Sequence, residues 1–246
     1  PELAKQITLH VPDENQKLEQ TFAVARKMAP NAFLIANIGG VQLVHGYGLK
    51  EVKKVVEMID ADAVAVHLNA LQEAVQPEGQ TNFKGVLAKM SEITGALDIP
   101  VIVKETGAGI SAEDAKALED AGVKAIDVGG VGGTSFAAVE YYRKAARENL
   151  SGEAFWDWGI PTAVSLIETV QTVKLPVITS GGLRSGTDAA KALALNACLA
   201  SISQPILQAA VKGEKETENK LSCLIEELRN ALFLVGAEKL SDLAKT

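Results

Sequence analysis

The sequence predicts an α/β protein built as a TIM-type (β/α) barrel, truncated to about six of the eight βα units that close such a barrel. Three observations carry this expectation. Six short apolar runs alternate with stretches of helical periodicity, the pattern of βαβ units on a parallel sheet. The residues after each run are polar or glycine-rich, whereas those before the runs are plain, as in Ala29-Pro30-Asn31, Leu97-Asp98-Ile99-Pro100 and Val173-Lys174-Leu175-Pro176. Hydrophobic residues make up 47% of the 246 but aromatics only 4%, which suits parallel strands rich in Ala, Val, Ile and Leu and buried on both faces. Barrels place function at the carboxyl ends of their strands, so the one-sided polarity favours an enzyme or ligand-binding barrel over a structural protein.

The whole chain reads as one domain. Residues 1–31 have no settled role: Gln6–Val11 alternates like a strand, and Leu18, Phe22, Val24, Ala25 and Met28 form a helical stripe from about Glu14 to Met28. Phe33–Asn37 is the first apolar run, closed by Gly39-Gly40, with a helix near Leu49–Met58. Ala63–Asn69 is the second, with a helix near Phe83–Leu97. Val101–Glu105 is the third, and Ser111 with Asp114 three residues on opens the helix after it. Ala125–Val128 is the fourth, followed by Gly129–Thr134 and a helix near Ser135–Ala146. Both tryptophans, Trp156 and Trp158, fall in the long connection to the fifth run, where they pack a loop over the barrel mouth, and Pro161 suits the first turn of the next helix. Val177–Ser180 is the fifth run and Leu199–Ser203 the sixth. Helices fill the C-terminal part from about residue 205, a short one to Lys212 and an amphipathic one over Glu214–Val235.

The net charge of −7, with no basic run, points away from nucleic acid and anionic membranes as partners. No apolar stretch is long enough to span a bilayer, and no signal peptide is visible. Cys198 and Cys223 have no metal-ligand spacing, and two thiols in a chain of this length suit a reducing compartment. The chain begins with Pro1 rather than Met, the mark of a processed or partial chain.

The densest chemistry follows the second run. His67 and Asn69 share a side of an alternating strand, Gln72 and Glu73 come next, and Pro77 with Gly79 turns the chain. The same residue types also suit a strand end and a solvated loop. Ser180–Gly186 follows the fifth run: its glycines let backbone N–H groups approach a phosphate, and a helix opening at Ser185 or Thr187 aims its positive end there. Ser203-Gln204-Pro205 stands after the sixth, where barrels often complete a phosphate pocket. Lys104, after the third run, needs a partner, either Glu105 or a cofactor. No Ser/His/Asp triad is legible, and the three histidines have no zinc spacing.

As a set, His67–Glu73 with Gln76–Gly79, Val103–Glu105, Gly132–Phe136, Trp158–Thr162 and Ser180–Gly186 resemble type 2 isopentenyl diphosphate isomerase, in order, from about Phe22 to the C-terminus. The resemblance implies an FMN-dependent barrel that interconverts isopentenyl and dimethylallyl diphosphate, with the flavin reduced by NADPH. It implies Gln72 as a proton-transfer group, His67 and Asn69 lining the substrate pocket, and Glu73 holding the Mg2+ of the diphosphate. Asn37, Lys104 and Thr134 would contact the flavin, and Gly181, Gly182, Arg184, Ser203 and Gln204 its phosphate. It also implies a cytoplasmic homo-oligomer. By the same likeness the six runs match the family's third to eighth strands, Gly129 replaces a serine, and Asn196 and Ser201 replace glycines. Two other readings compete: a non-catalytic or partner-completed barrel that binds a phosphate-bearing ligand, and another FMN barrel oxidoreductase. An α-hydroxy-acid oxidase needs a His/Arg pair for its carboxylate, and none fits here.

Overall fold

The computed structural model describes residues 16–143 and 150–245. Six strands form one parallel sheet in sequence order: β1 (Ile35–Gly39), β2 (Ala63–His67), β3 (Val101–Lys104), β4 (Ala125–Asp127), β5 (Val177–Thr179) and β6 (Leu199–Ala200). Helices α1 (Gln16–Met28), α2 (Leu49–Ile59), α3 (Ala70–Val75), α4 (Val86–Ala96), α5 (Ala112–Asp120), α6 (Phe136–Tyr142), α7 (Thr162–Thr172), α8 (Gly186–Ala194), α9 (Gln204–Ala210) and α10 (Glu214–Leu234) intervene or follow. The alternation expected from the sequence is therefore the architecture of the chain. The strand suggested at Gln6–Val11 lies outside the described residues.

The period of two sorts each strand into two faces. Val64, Val66, Val101, Val103, Ile126 and Val177 point outward into the main core, where Val52, Met90, Ile93, Leu118 and Leu166 of the helices meet them. The inward face is small: Ala63, Ala65 and Ile102 form a second cluster with Ala125 and Ile178. This is a barrel wall with a narrow interior, and among the described residues it stays open between β1 and β6.

Several boundaries differ from the sequence reading, each for a local reason. β1 runs on to Gly39, so Asn37 sits inside the strand. β2 stops at His67, because Asn69 takes a left-handed conformation (φ 30°) and caps α3; strand alternation does not relate His67 to Asn69. Asparagine is one of the few residues that tolerates this geometry. Pro161 is the cap of α7, one residue before its first turn. The helix expected from Phe83 starts at Val86, after Gly85 at φ 95°. Ser111 caps α5 as expected, its Oγ accepting from the Asp114 amide at 3.1 Å.

Register is what positions the site. Gly39 pairs with His67, His67 with Lys104, Lys104 with Asp127, and Asp127 with Ile178. Three ionisable side chains thus stand side by side on the inner wall, at the carboxyl ends of three neighbouring strands.

Candidate active site

His67 is 5% exposed, and burial first and the neighbouring Lys104 second pull its pKa down to about 3. At neutral pH it is an uncharged imidazole. Burial also lowers the pKa of Lys104, opposed by Asp127 and then Glu105. It raises that of Asp127, opposed mainly by the Ser180 hydroxyl, which donates to Asp127 Oδ1 at 2.6 Å. The side-chain pairing of Lys104 with Glu105 does not form: Glu105 Oε2 accepts the amides of Thr106, Gly107 and Ala108 at 2.5, 2.9 and 2.7 Å. Lys104 Nζ reaches only the Glu105 carbonyl, at 3.4 Å. A half-buried ammonium with one long hydrogen bond has room for a further acceptor.

Beside this row, the loop and helix after β2 form a tight polar knot. Asn69 Nδ2 donates to Glu73 Oε1 at 3.0 Å, and Gln76 Nε2 and the Gln80 amide donate to Glu73 Oε2, both at 2.8 Å. Glu73 is 4% exposed, so its carboxylate organises the turn through Gly79. Asn69 Oδ1 is buried without a partner. Gln72 Nε2 donates to Glu140 Oε1 at 2.9 Å, across 68 positions of sequence. Glu140 is ion-paired to Arg143, which also binds Glu78 at 2.8 Å. Sequence reading missed Glu140 and Arg143. The available signal was that Ala137 and Glu140, three apart, share a helix face, so an acid lies on the buried side of α6.

Leu71, Gln72, Phe136, Trp156 and Trp158 line a small cleft next to Gln72. Trp156 packs edge-on against Tyr141, with ring centroids 5.4 Å apart, and Trp158 packs edge-on against Phe155. The tryptophan loop thus reaches the mouth of the site, as expected.

The glycine loops after β4 and β5 pack on each other. A Cβ on Gly182 (φ 85°) would lie 2.2 Å from the Gly132 carbonyl oxygen, and one on Gly181 (φ 103°) 2.2 Å from that of Gly130. Arg184 ties the same loops, its guanidinium donating to the carbonyls of Gly182 and Gly132 at 3.0 and 3.2 Å. The helix expected at Ser185 forms, with Ser185 as cap of α8. Its leading amides are occupied, however: those of Arg184 and Ser185 donate to Asp188, and that of Gly186 to Glu227 of α10 at 2.6 Å. The glycines therefore serve loop packing here, and the positive end of α8 faces carboxylates of the chain itself. Thr134, Ser203 and Gln204 are exposed on the same carboxyl-end side, Ser203 capping α9 without a side-chain bond. Asn37 faces inward and donates to the Ile35 carbonyl at 3.3 Å.

The structure therefore brings together Asn69, Gln72 and Glu73, and aligns His67 with Lys104. Arg184, Ser203 and Gln204 lie on the β5–β6 flank. Among the described residues no three His, Cys, Asp or Glu side chains gather as a metal cluster, and no helix is long and apolar enough to cross a membrane.

A family model described as FMN-dependent dehydrogenase matches residues 16–246. The chain belongs to that family. Within it, the chain is 52% identical over 233 residues to an isopentenyl-diphosphate delta-isomerase of Methanothermobacter thermautotrophicus, covering 95% of this chain and 64% of that one. It is 51% identical over 228 residues to the protein of that name from Pyrococcus furiosus, covering 89% and 57% respectively. The chain thus spans less than two thirds of the length of these relatives. Crystal structures of mandelate oxidase share the fold at 22% identity and a TM-score of 0.56, covering 96% of this chain and 77% of theirs. With 3,3-difluoro-2-hydroxy-3-phenylpropionic acid bound, the TM-score is 0.58 at 21% identity, covering 97% and 77%.

Proposed function

We propose that this chain carries the substrate and flavin face of an isomerase that interconverts isopentenyl and dimethylallyl diphosphate in isoprenoid biosynthesis. The observation that carries the reading is the Asn69–Gln72–Glu73 knot, set against the His67–Lys104–Asp127 row in a chain about half identical to proteins named for that activity. An oxidase of 2-hydroxy acids needs an arginine beside its histidine to hold the substrate carboxylate, whereas the neighbours of His67 in register are Gly39 and Lys104.

The inner wall fits a flavin. Lys104 would offer a half-buried cation with a single long hydrogen bond to the electron-rich edge of an isoalloxazine. Asn37 and Thr134 would flank the ring system, and the β5–β6 flank of Arg184, Ser203 and Gln204 would face its phosphate, with Gly181 and Gly182 shaping the loop while the leading amides of α8 stay on Asp188 and Glu227. Glu73 would hold a hard cation such as Mg2+, with the unpartnered Asn69 Oδ1 beside it, in place of the hydrogen bonds that Asn69, Gln76 and the Gln80 amide donate to its carboxylate here. Reduced FMN, when bound, supplies an electron-rich surface beside the alkene, with NADPH as its reductant. The isomerisation adds a proton at one carbon and removes one from another, without net oxidation. Gln72 would hold or pass that proton, a reading supported by its position in the cleft and by the Glu140 carboxylate that orients its amide. His67 contributes a neutral N–H donor or acceptor rather than charge. Trp156 and Phe136, which line the cleft, would screen the hydrocarbon side from water. The enzyme would work in the cytoplasm as a homo-oligomer.

The test is kinetic, on the chain with its barrel completed and its flavin reduced. Gln72→Asn should lower turnover by about 10²–10⁴-fold with little change in KM, the usual loss for a positioned proton-transfer group. Glu73→Gln should chiefly raise KM and its dependence on Mg2+. Unchanged turnover in the first variant removes Gln72 from the chemistry.

A further inference from the structure

We infer that Gln42 is a positioning residue for His67: its side-chain oxygen takes the hydrogen bond of His67 Nε2 and so fixes which ring nitrogen carries the proton. Such a contact is internal to the protein and forms or fails whatever reaction the chain supports.

Gln42 lies in the short 3-10 turn after β1, Val41–Val44. Its neighbours Val41 and Leu43 are buried and anchor the turn in the core. The Gln42 carbonyl accepts the amides of His45 and Tyr47, both at 3.0 Å, so its backbone is held as well. The Gly40 amide donates to the His67 carbonyl at 2.7 Å and ties the turn to the end of β2. From this anchored backbone the side chain folds back over Gly39. A Cβ on Gly39 would lie 1.6 Å from Gln42 Oε1, so the amide stands where a side chain of that residue would be. The same point is 3.2 Å from His67 Nε2, the closest atom outside residues 38–40 and Gln42.

Gly39 pairs with His67 in register, so both belong to the inner face. The Gln42 amide thereby extends the row of His67, Lys104 and Asp127 by one polar group on the β1 side. Its Oε1 is buried and has no hydrogen-bond partner among the described residues. A buried acceptor without a donor is costly, and a turn about the last side-chain bonds of Gln42 offers it one, at His67 Nε2. An uncharged imidazole has one N–H and one bare nitrogen, and its tautomer follows the hydrogen bond that either nitrogen makes. With Oε1 beside it, Nε2 carries the proton and Nδ1 keeps the lone pair. His67 then acts as an acceptor through Nδ1 alone. The reverse placement of the amide, with its NH2 toward the ring, would favour the opposite tautomer, so the two arrangements are separable by experiment.

Nitrogen-15 NMR of the purified chain at neutral pH separates a protonated ring nitrogen from a bare one. The chain has three histidines, His10, His45 and His67, and His67→Gln identifies the His67 signals by their loss. The expected result is that Nε2–H exceeds Nδ1–H by about tenfold more than in free histidine, the factor that one net hydrogen bond gives. Gln42→Leu keeps the bulk but removes the acceptor, and should return the ratio to that of free histidine. Gln42→Glu keeps an oxygen in place and should retain Nε2–H. Gly39→Ala leaves Gln42 itself unchanged, but its Cβ takes the place of the amide oxygen, and it should also return the ratio to that of free histidine. Gly39 is not among the residues at positive φ, so alanine suits its backbone, and circular dichroism of this variant should match the parent. A parent chain in the Nδ1–H form overturns the inference. So does an excess of Nε2–H that survives both Gln42→Leu and Gly39→Ala.

Discussion

At the scale of single residues, the chemistry depends on side chains whose state is set by neighbours far away in sequence. His67 is the clearest case. Its folded pKa of about 3 lies below its unfolded value of 6.5, so between those values the unfolded chain binds a proton that the folded chain refuses. Stability should therefore be unaffected by this group above pH 6.5 and fall as pH drops through the window, by at most about 1.4 kcal/mol per pH unit. Urea unfolding at pH 6.5, 5.5 and 4.5 should show that His67→Gln loses this part of the slope. Equal slopes in parent and variant would mean that the imidazole is solvated. The residue types of the site were legible in sequence, because His67, Asn69, Gln72 and Glu73 form one compact motif. Their geometry was not. Asn69 leaves the strand through a left-handed turn, and Glu140 meets Gln72 only because α3 and α6 pack together. Glu105 looked like a partner for Lys104 but is engaged by three loop amides.

At the scale of elements, the helices and strands followed from periodicity, while the loops held the surprises. Glycines after a strand suggest close approach to a ligand. In Gly130–Gly133 and Gly181-Gly182 they permit close approach of one loop to the other. Gly182→Ala should accordingly destabilise the fold by about 2–5 kcal/mol, combining a left-handed penalty with overpacking against Gly132. Denaturant titration checks this, and a loss under about 0.5 kcal/mol, the range of a neutral surface substitution, would show that the loops are not in contact. Replacement of Gly182 is for this reason a poor probe of phosphate binding, since it disturbs the loop pair first. The start of α8 teaches the same lesson. A helix opening at Ser185 was expected, and nothing local announced that Glu227, 41 residues later, would take the Gly186 amide.

At the scale of the whole molecule, the six alternating βα units are readable because each buried strand is a short apolar run. The order of the strands along the sheet follows the order in sequence. What periodicity could not supply is the register that lines up His67, Lys104 and Asp127, or the exposure of Ile35 and Leu199 at the two rims. Both consequences meet in the claim that an open barrel holds the working face of an isomerase. That claim is tested most directly by deuterium transfer. The chain, with its barrel completed and supplied with reduced FMN and Mg2+, is incubated with isopentenyl diphosphate in deuterated water. The expected result is dimethylallyl diphosphate carrying deuterium from solvent, with formation abolished when Gln72 and Glu73 are both changed to alanine. Labelled product at an undiminished rate from the doubly changed protein would contradict it.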